Sequence, residues 1–556
     1  MRTRLRLPRL RAQRFVQALS LALFLGLLAA AFANLATPLA ENLFLRLDPL
    51  VALATALAAR DIPAGVVPGL LVLALAPVLG RSFCGWLCPM GATVDSADAL
   101  LARRKRLPAW LPQAKYLLLA LVLGSALLGV SLVFIAAPMP LVTRFWGLLA
   151  YPLAAEGAEA ALPLARTVGG ALDINRLIWL EIKPPVFATT SFVAVFFGLV
   201  FAASRLSPRF WCRYACPAGA SLALLSRRPA WRRAVSDKCI ECGKCQRACP
   251  MKAIPADPRA TSHGECILCR ACAGVCPTKA VSFPVELPRF RRHAPKPRPS
   301  LVGRRAVLAA GVTGVAGLTL GGLSLASPPR AEAVRPPGSA PEDDFLSRCV
   351  RCGQCAVACP SNIIQPVWLS TGVLGLFSPV LTPVRGFCDP HCHACAQACP
   401  TRAIRPLPTQ ERVWSKLGTA KVERETCLAW KDKKKCLVCD EVCPYGAVSL
   451  KPEPGNPVYV PHVDETRCAG CGYCEHYCPV RPGRAILVGS KGQIRLASGS
   501  QEQAARAKGL SLSLKQKKEE FGYPVGSEDT GLPPGFSPLD ESGAQGTGGL
   551  PPGFSK

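Results

Sequence analysis

Cysteine spacing constrains this chain more than any other feature. The sequence runs Cys239-x2-Cys242-x2-Cys245-x3-Cys249-Pro250, then repeats as Cys266-x2-Cys269-x2-Cys272-x3-Cys276-Pro277. That rhythm wraps cubane 4Fe-4S clusters: three close thiolates hold one cubane, and the fourth, turned away by the proline, usually reaches the neighbouring cluster. On this rule Cys239, Cys242, Cys245 and Cys276 hold one cluster, and Cys266, Cys269, Cys272 and Cys249 the other. Zinc and disulfides are the alternatives. A zinc site needs four ligands and gains nothing from a third cysteine at this rhythm with Cys-Pro closing each run.

Four more runs follow. Cys349, Cys352, Cys355 and Cys359 keep the spacing, as do Cys468, Cys471, Cys474 and Cys478. Cys388-x3-Cys392-x2-Cys395-x3-Cys399 and Cys427-x8-Cys436-x2-Cys439-x3-Cys443 widen only the first gap. Cubane binding tolerates that, because only the last three ligands need tight local geometry. The longer intervals between these runs leave open which fourth cysteine crosses to which cluster. Six runs and two pairs, Cys84/Cys88 and Cys212/Cys216, account for all 28 cysteines, and each ends in Cys-Pro. Disulfide scaffolds are short and have no reason for that regularity. Cys392-His393 hints at covalent haem, but Cys388 lies four positions before Cys392 rather than three. No apolar run holds a histidine, which disfavours a membrane haem with paired imidazoles. No Gly-x-Gly-x-x-Gly opens a nucleotide-binding strand–helix unit.

A chain of 556 residues with 50% hydrophobic residues, a mean hydropathy of +0.25 and long apolar runs reads as a multidomain membrane protein. The net charge of +30 is not a nucleic-acid footprint. Its basic residues cluster beside apolar runs, at Arg2 to Arg14, Arg103 to Arg106, Arg227 to Arg233 and Arg289 to Arg305, the positive-inside pattern. Four spans are expected, at Phe15–Ala36, Val66–Gly80, Tyr116–Ala137 and Val186–Ser204, with the amino end cytoplasmic. Leu50–Ala59 is expected at the interface and Met139–Pro185 in an outer loop.

The two cysteine pairs lie in a repeat at the inner ends of two hairpins. Phe83-Cys84-Gly85-Trp86-Leu87-Cys88-Pro89-Met90-Gly91-Ala92-Thr93 matches Trp211-Cys212-Arg213-Tyr214-Ala215-Cys216-Pro217-Ala218-Gly219-Ala220-Ser221. A hairpin repeated in one orientation implies a pseudo-two-fold along the membrane normal, which would bring Cys84, Cys88, Cys212 and Cys216 together. Three readings stand: a seventh cluster, redox-active dithiols, or a structural pair. With Trp86 and Tyr214 they form the candidate quinol site at the membrane edge.

The expected domains are a four-span helical bundle (1–235), a cytoplasmic two-cluster ferredoxin-like α+β domain (236–287), a basic linker with a fifth crossing (288–345), a periplasmic four-cluster ferredoxin-like domain (346–490) and a disordered tail (491–556). The fifth crossing, Ala306–Ser327, follows Arg304-Arg305 and precedes Ala331-Glu332-Ala333, as in a twin-arginine export signal. Such export suits clusters that are built in a reducing compartment and work outside it. The tail repeats Gly-Leu-Pro-Pro-Gly-Phe-Ser at 531–537 and 549–555 and is too polar to bury a core.

On these motifs residues 12 to about 285 resemble NapH, the membrane quinol-dehydrogenase component of periplasmic nitrate reductase systems. Residues 300 to about 490 resemble NapG and MauM, exported four-cluster proteins. The resemblance implies a fusion that takes electrons from the membrane quinol pool through six clusters, or seven, to a periplasmic reductase or c-type cytochrome, in the bacterial inner membrane. A redox maturation or maintenance factor for another metalloenzyme, of the NosR or copper-oxidase-assembly kind, is the alternative; the flavin and immunoglobulin-like domains of those relatives have no counterpart here.

Overall fold

The computed structural model describes residues 11–35, 37–101, 107–108, 110–171, 181–286, 312, 333–368, 371–372 and 375–515. The paired arginines, nearly all of the expected fifth crossing and the Gly-Leu-Pro-Pro repeats lie outside the described residues.

The amino-terminal half is helical. Its principal helices are α1 (Arg11–Phe32), α2 (Pro49–Ala59), α3 (Val67–Leu79), α4 (Pro89–Leu101), α5 (Ala114–Leu127), α6 (Pro138–Phe145), α7 (Tyr151–Ala171), α8 (Thr190–Ser204) and α9 (Pro217–Leu225). Among the described residues one helix, Ala12–Phe32, is long and apolar enough to cross a membrane by length and composition. Helices α3, α5 and α8 have 13, 14 and 15 residues. At about 1.5 Å per residue these reach only about 20 Å, against a hydrocarbon core of about 30 Å. The expected spans are thus longer than the helices found. Helix α5 stops at Leu127, ten residues early, because Gly129 turns the chain with φ +78°. Pro184 and Pro185 hold the start of the fourth segment out of the helix, which begins at Thr190.

Leu50–Ala59, expected at an interface, is instead core. Helix α2 is apolar all round, so it is stable only when enclosed; Leu50, Val51, Ala52, Ala54 and Thr55 are buried. Asp48 fixes it by accepting from the N–H groups of Leu50 (2.9 Å) and Val51 (3.2 Å), and from Met139 of α6 (3.1 Å). The expected outer loop holds α6 and α7. Apolar side chains spaced for one helix face stay exposed: Phe15, Leu19 and Leu23 on α1; Val67, Leu71 and Leu75 on α3; Val195 and Leu199 on α8.

Three antiparallel closures organise the cysteine-rich remainder. Strand β1 (Ala234–Val235) pairs with β2 (Val281–Ser282). Ser339 bridges Ile404 around the pair β3 (Ile364–Pro366) and β4 (Pro379–Leu381). Strand β5 (Thr419–Val422) pairs with β8 (Ile486–Gly489) around β6 (Val448–Lys451) and β7 (Val460–Val463). The segment expected as one four-cluster domain is therefore two modules, each enclosing two cysteine runs. Part of the stretch expected as tail from 491 is ordered. Gln501–Ala507 is helical, capped by Ser500, with Ala505 and Leu512 buried; two small apolar contacts in a polar stretch leave no period to read.

Gly65 and Arg81 bracket α3, and different modules meet them. Arg81 Nη1 lies 2.9 Å from Glu265 of the first module. At the other end, a Cβ on Gly65 would strike the Pro400 carbonyl, Asn42 Nδ2 donates to Gln397 O at 3.2 Å, and Arg348 pairs with Asp61 at 3.3 Å. The third module docks on the second: Cys388 N–H donates to Cys471 O at 2.8 Å.

Candidate iron–sulfur sites

Backbone geometry marks the cysteine runs before any ligand is considered. The residue just before the second cysteine has positive φ in four runs: Glu241, Leu268, Arg351 and Gly470. So does the residue after the second cysteine, at Gly243, Arg270, Gly353 and Gly472. The third residue after the fourth cysteine repeats it at Lys252, Lys279, Asn362, Arg402 and Gly446. L-residues avoid this region, so thirteen placements in register are a shared device. Such turns aim successive N–H groups at one point and form an anion nest. The N–H groups of Ala253, Ala280 and Ala447 each donate at 3.3 Å to a thiol four residues back, on Cys249, Cys276 and Cys443.

The cavities between the runs give the exchange of fourth ligands. Cys266, Cys269 and Cys272 share one with Cys249, as the sequence expects. Cys276, expected to complete the other site, has the matching N–H bond from Ala280. In the second module Cys349, Cys352 and Cys355 line one cavity with Cys399, while Cys388, Cys392 and Cys395 feel the charge of Cys359. In the third module Cys427, Cys436 and Cys439 line one cavity with Cys478; Cys468, Cys471 and Cys474 have Cys443 beside them. The crossover unreadable in the carboxyl-terminal sequence is reciprocal in both modules. Among the described residues no three His, Cys, Asp or Glu gather closely enough for a single ion. The cysteines line shared cavities, an arrangement that suits a cubane. All 28 cysteines are unpaired as disulfides. Burial pushes the Cys266 and Cys272 thiols up to about 12, so cluster assembly must displace their protons.

Buried cations serve these anionic sites. Arg412 Nη2 donates to Cys388 Sγ at 3.0 Å and also to Asp389 O at 2.8 Å. Arg233 Nη2 lies 3.7 Å from Cys245 Sγ. A guanidinium beside a thiolate favours the more negative, reduced state. Arg412→Gln is expected to shift the potential of the Cys388 site negative by on the order of 60 mV, about tenfold in a one-electron equilibrium. An EPR redox titration reads it; an unmoved potential would deny Arg412 this role.

The two bundle pairs do come together. Cys88 has Cys84, Cys212 and Cys216 as electrostatic neighbours. Each Cys-Pro-x-Gly motif starts a helix: Cys216 is the N-cap of α9, Pro217 occupies the first position, whose N–H would be unpaired anyway, and Gly219 N–H donates to Cys216 Sγ at 3.3 Å. The same motif at Cys88-Pro89-x-Gly91 opens α4, with Gly91 N–H bonded to Cys88. Both helix amino ends therefore point their positive dipoles at the cysteines. Glycine fits both positions because space is short: a Cβ on Gly219 would sit 2.6 Å from Arg81 Nη2 of the other repeat, and one on Gly91 3.0 Å from the Cys84 carbonyl of its own.

Arg81 and Arg209 stand three residues before the first cysteine of each repeat. That matched spacing is visible in the sequence; what the two side chains touch is not. Each crosses to the other repeat. Arg209 Nη1 reaches Cys84 O at 3.4 Å and its Nε donates to Asp95 at 2.6 Å; Arg81 packs on Gly219. Cys84 shares a small apolar cluster with Cys249, Cys266 and Cys269 of the first module. Burial pushes Cys88 well above its ordinary value and Cys212 up to about 11. Gly219→Ala is expected to cost about 1–3 kcal/mol by displacing Arg81; unchanged thermal unfolding would contradict this contact. Trp86 and Tyr214 are committed to packing: Trp86 Nε1 donates to Leu268 O at 3.2 Å, and the buried Tyr214 ring lies under Arg213 (4.7 Å) and beside Phe210 (5.0 Å).

Family comparisons agree with this geometry. A 4Fe-4S binding domain model matches residues 62–108 and 189–235, covering both bundle pairs. A 4Fe-4S dicluster domain model matches 238–280 and 434–481, and a further 4Fe-4S binding domain model matches 345–365. The methylamine utilization ferredoxin-type protein MauM of Paracoccus denitrificans is 40% identical over 191 residues, 32% of this chain and 83% of that protein. MauM of Methylorubrum extorquens is 35% identical over 227 residues, 38% of this chain and 99% of its own length. The ferredoxin-type protein NapF of Escherichia coli is 34% identical over 150 residues, 27% of this chain and 82% of its own. The chain belongs to the ferredoxin-type 4Fe-4S proteins of the MauM and NapF kind.

Proposed function

We propose that this chain passes electrons from membrane quinol through iron–sulfur clusters to a periplasmic reductase or c-type cytochrome. It combines a NapH-like bundle with NapG- or MauM-like modules in the bacterial inner membrane, the carboxyl-terminal modules lying outside. One observation carries the reading: cysteine-rich modules meet opposite ends of α3, and Cys84 of the bundle set packs against the first of them. The exposed apolar stripes on α1, α3 and α8 support a lipid setting, since soluble surfaces rarely expose such continuous patches.

Each 4Fe-4S cluster, when bound, carries one electron at a potential set by its surroundings. The chain's own residues supply the rest. Nests and N-caps hold the sulfurs, while Arg81, Arg209, Arg233 and Arg412 offset negative charge. Cys84, Cys88, Cys212 and Cys216 hold a seventh cluster, bringing the total from six to seven.

The test is quinol-driven reduction of an impermeant acceptor outside right-side-out vesicles. Wild type should support it and Cys355→Ser should abolish it. An undiminished rate in that variant would refute the route.

A further inference from the structure

Between α6, α8 and the turn before β4 lies a cavity that no cysteine site uses. Phe134, Phe192, Phe196, Phe197 and Phe377 wall it, Val193 and Arg144 also line it, and its volume is about 190 Å³. Arg144 is 4% exposed. Its Nε donates to Pro140 O at 3.3 Å, Nη2 donates to Phe134 O, and the guanidinium lies 4.9 Å from the Phe377 ring centre. Phe377 also lines the cavity ringed by Cys349, Cys352, Cys355 and Cys399, and Arg144 feels the charge of Cys352. At the rim Ile135 and Phe192 are exposed. Phe192 shares α8 with the exposed Val195 and Leu199.

Resting on the quinol reading above, we propose that this cavity binds the head group of the membrane quinol. Aromatic faces suit a planar ring, favouring edge-on and offset contacts. Arg144 brings guanidinium N–H groups, which a ring oxygen can accept. A pure hydrocarbon tail would gain nothing from a buried cation whose desolvation is costly. The isoprenoid tail leaves past Ile135 and Phe192 along the apolar face of α8. Phe377 is then a wall common to the quinol site and the Cys349 site. Trp86 and Tyr214 are instead engaged with Leu268, Arg213 and Phe210.

The full chain in lipid nanodiscs, treated with a photoreactive azidoquinone and mapped by peptide mass spectrometry, tests this. Labels are expected on 134–144, 192–197 and 376–377, displaced by unlabelled quinone. Val193→Trp, which fills the cavity, should weaken labelling on the order of tenfold with iron and sulfide content unchanged. Phe192→Leu at the rim, a milder change, should weaken it severalfold. Labels on 84–94 and 210–217 would overturn this site while leaving the quinol reading intact. Labels displaced by phospholipid but not by quinone would mark a lipid cleft and overturn it too. No saturable label, with no quinol-driven reduction in vesicles, would overturn the reading beneath it.

Discussion

Glu265→Ala should destabilise the docking of the first cluster module by about 3 kcal/mol, the low end for stripping a partner from a buried ion pair. Glu265 is the counter-ion of two buried cations: Arg81 at 2.9 Å and Lys115 at 2.6 Å, whose side chains are 1% and 0% exposed. Tyr116 adds a hydroxyl bond at 3.2 Å. Burial raises the Glu265 carboxyl, but the Arg81 and Lys115 charges outweigh it and hold the group below its ordinary value of 4.5. A depressed carboxyl contributes stability that is complete above the unfolded value and is lost as pH falls through the folded one. The gap between wild type and Glu265→Gln should therefore be full above about pH 4.5 and close in more acid solution. Thermal unfolding, with amide exchange over 236–286, reads both effects. A pH-independent gap would remove the charge from the explanation.

Cys216→Ser should delete one cluster with little damage to the fold. Serine is a preferred N-cap, so α9 keeps its start while the thiolate is lost. Iron and acid-labile sulfide should each fall by about four per chain, one cubane's content, with the signals of the six runs retained. In vesicles, a reductant confined to the inner face should then no longer reduce the outer modules. Unchanged iron would make this pair structural.

Much of this site was legible in residue order. Ligand spacing is local, so the six runs and the two bundle pairs could be read directly, as could the place of Cys249 beside Cys266, Cys269 and Cys272. The reciprocal exchange of Cys359 with Cys399, and of Cys443 with Cys478, was not legible, because long intervals loosen the geometry that spacing encodes. Helix length was overread where Gly129 and the Pro184-Pro185 pair interrupt apolar sequence. Leu50–Ala59 looked interfacial because hydropathy measures composition and not enclosure. The roles of Arg81 and Arg209 depend on crossing between repeats, which a linear comparison cannot contain, although their matched position could have flagged them. The aromatic cavity draws on three distant segments and left no motif.

The central claim is that these cysteines hold iron as cubanes throughout the chain. Iron and acid-labile sulfide in anaerobically purified protein, with EPR of the reduced form, test it most directly. Equal iron and sulfide, about 28 of each for seven four-iron clusters, with signals of magnetically interacting reduced cubanes, is the expected result. Bound zinc or paired disulfides with almost no labile sulfide would contradict the account.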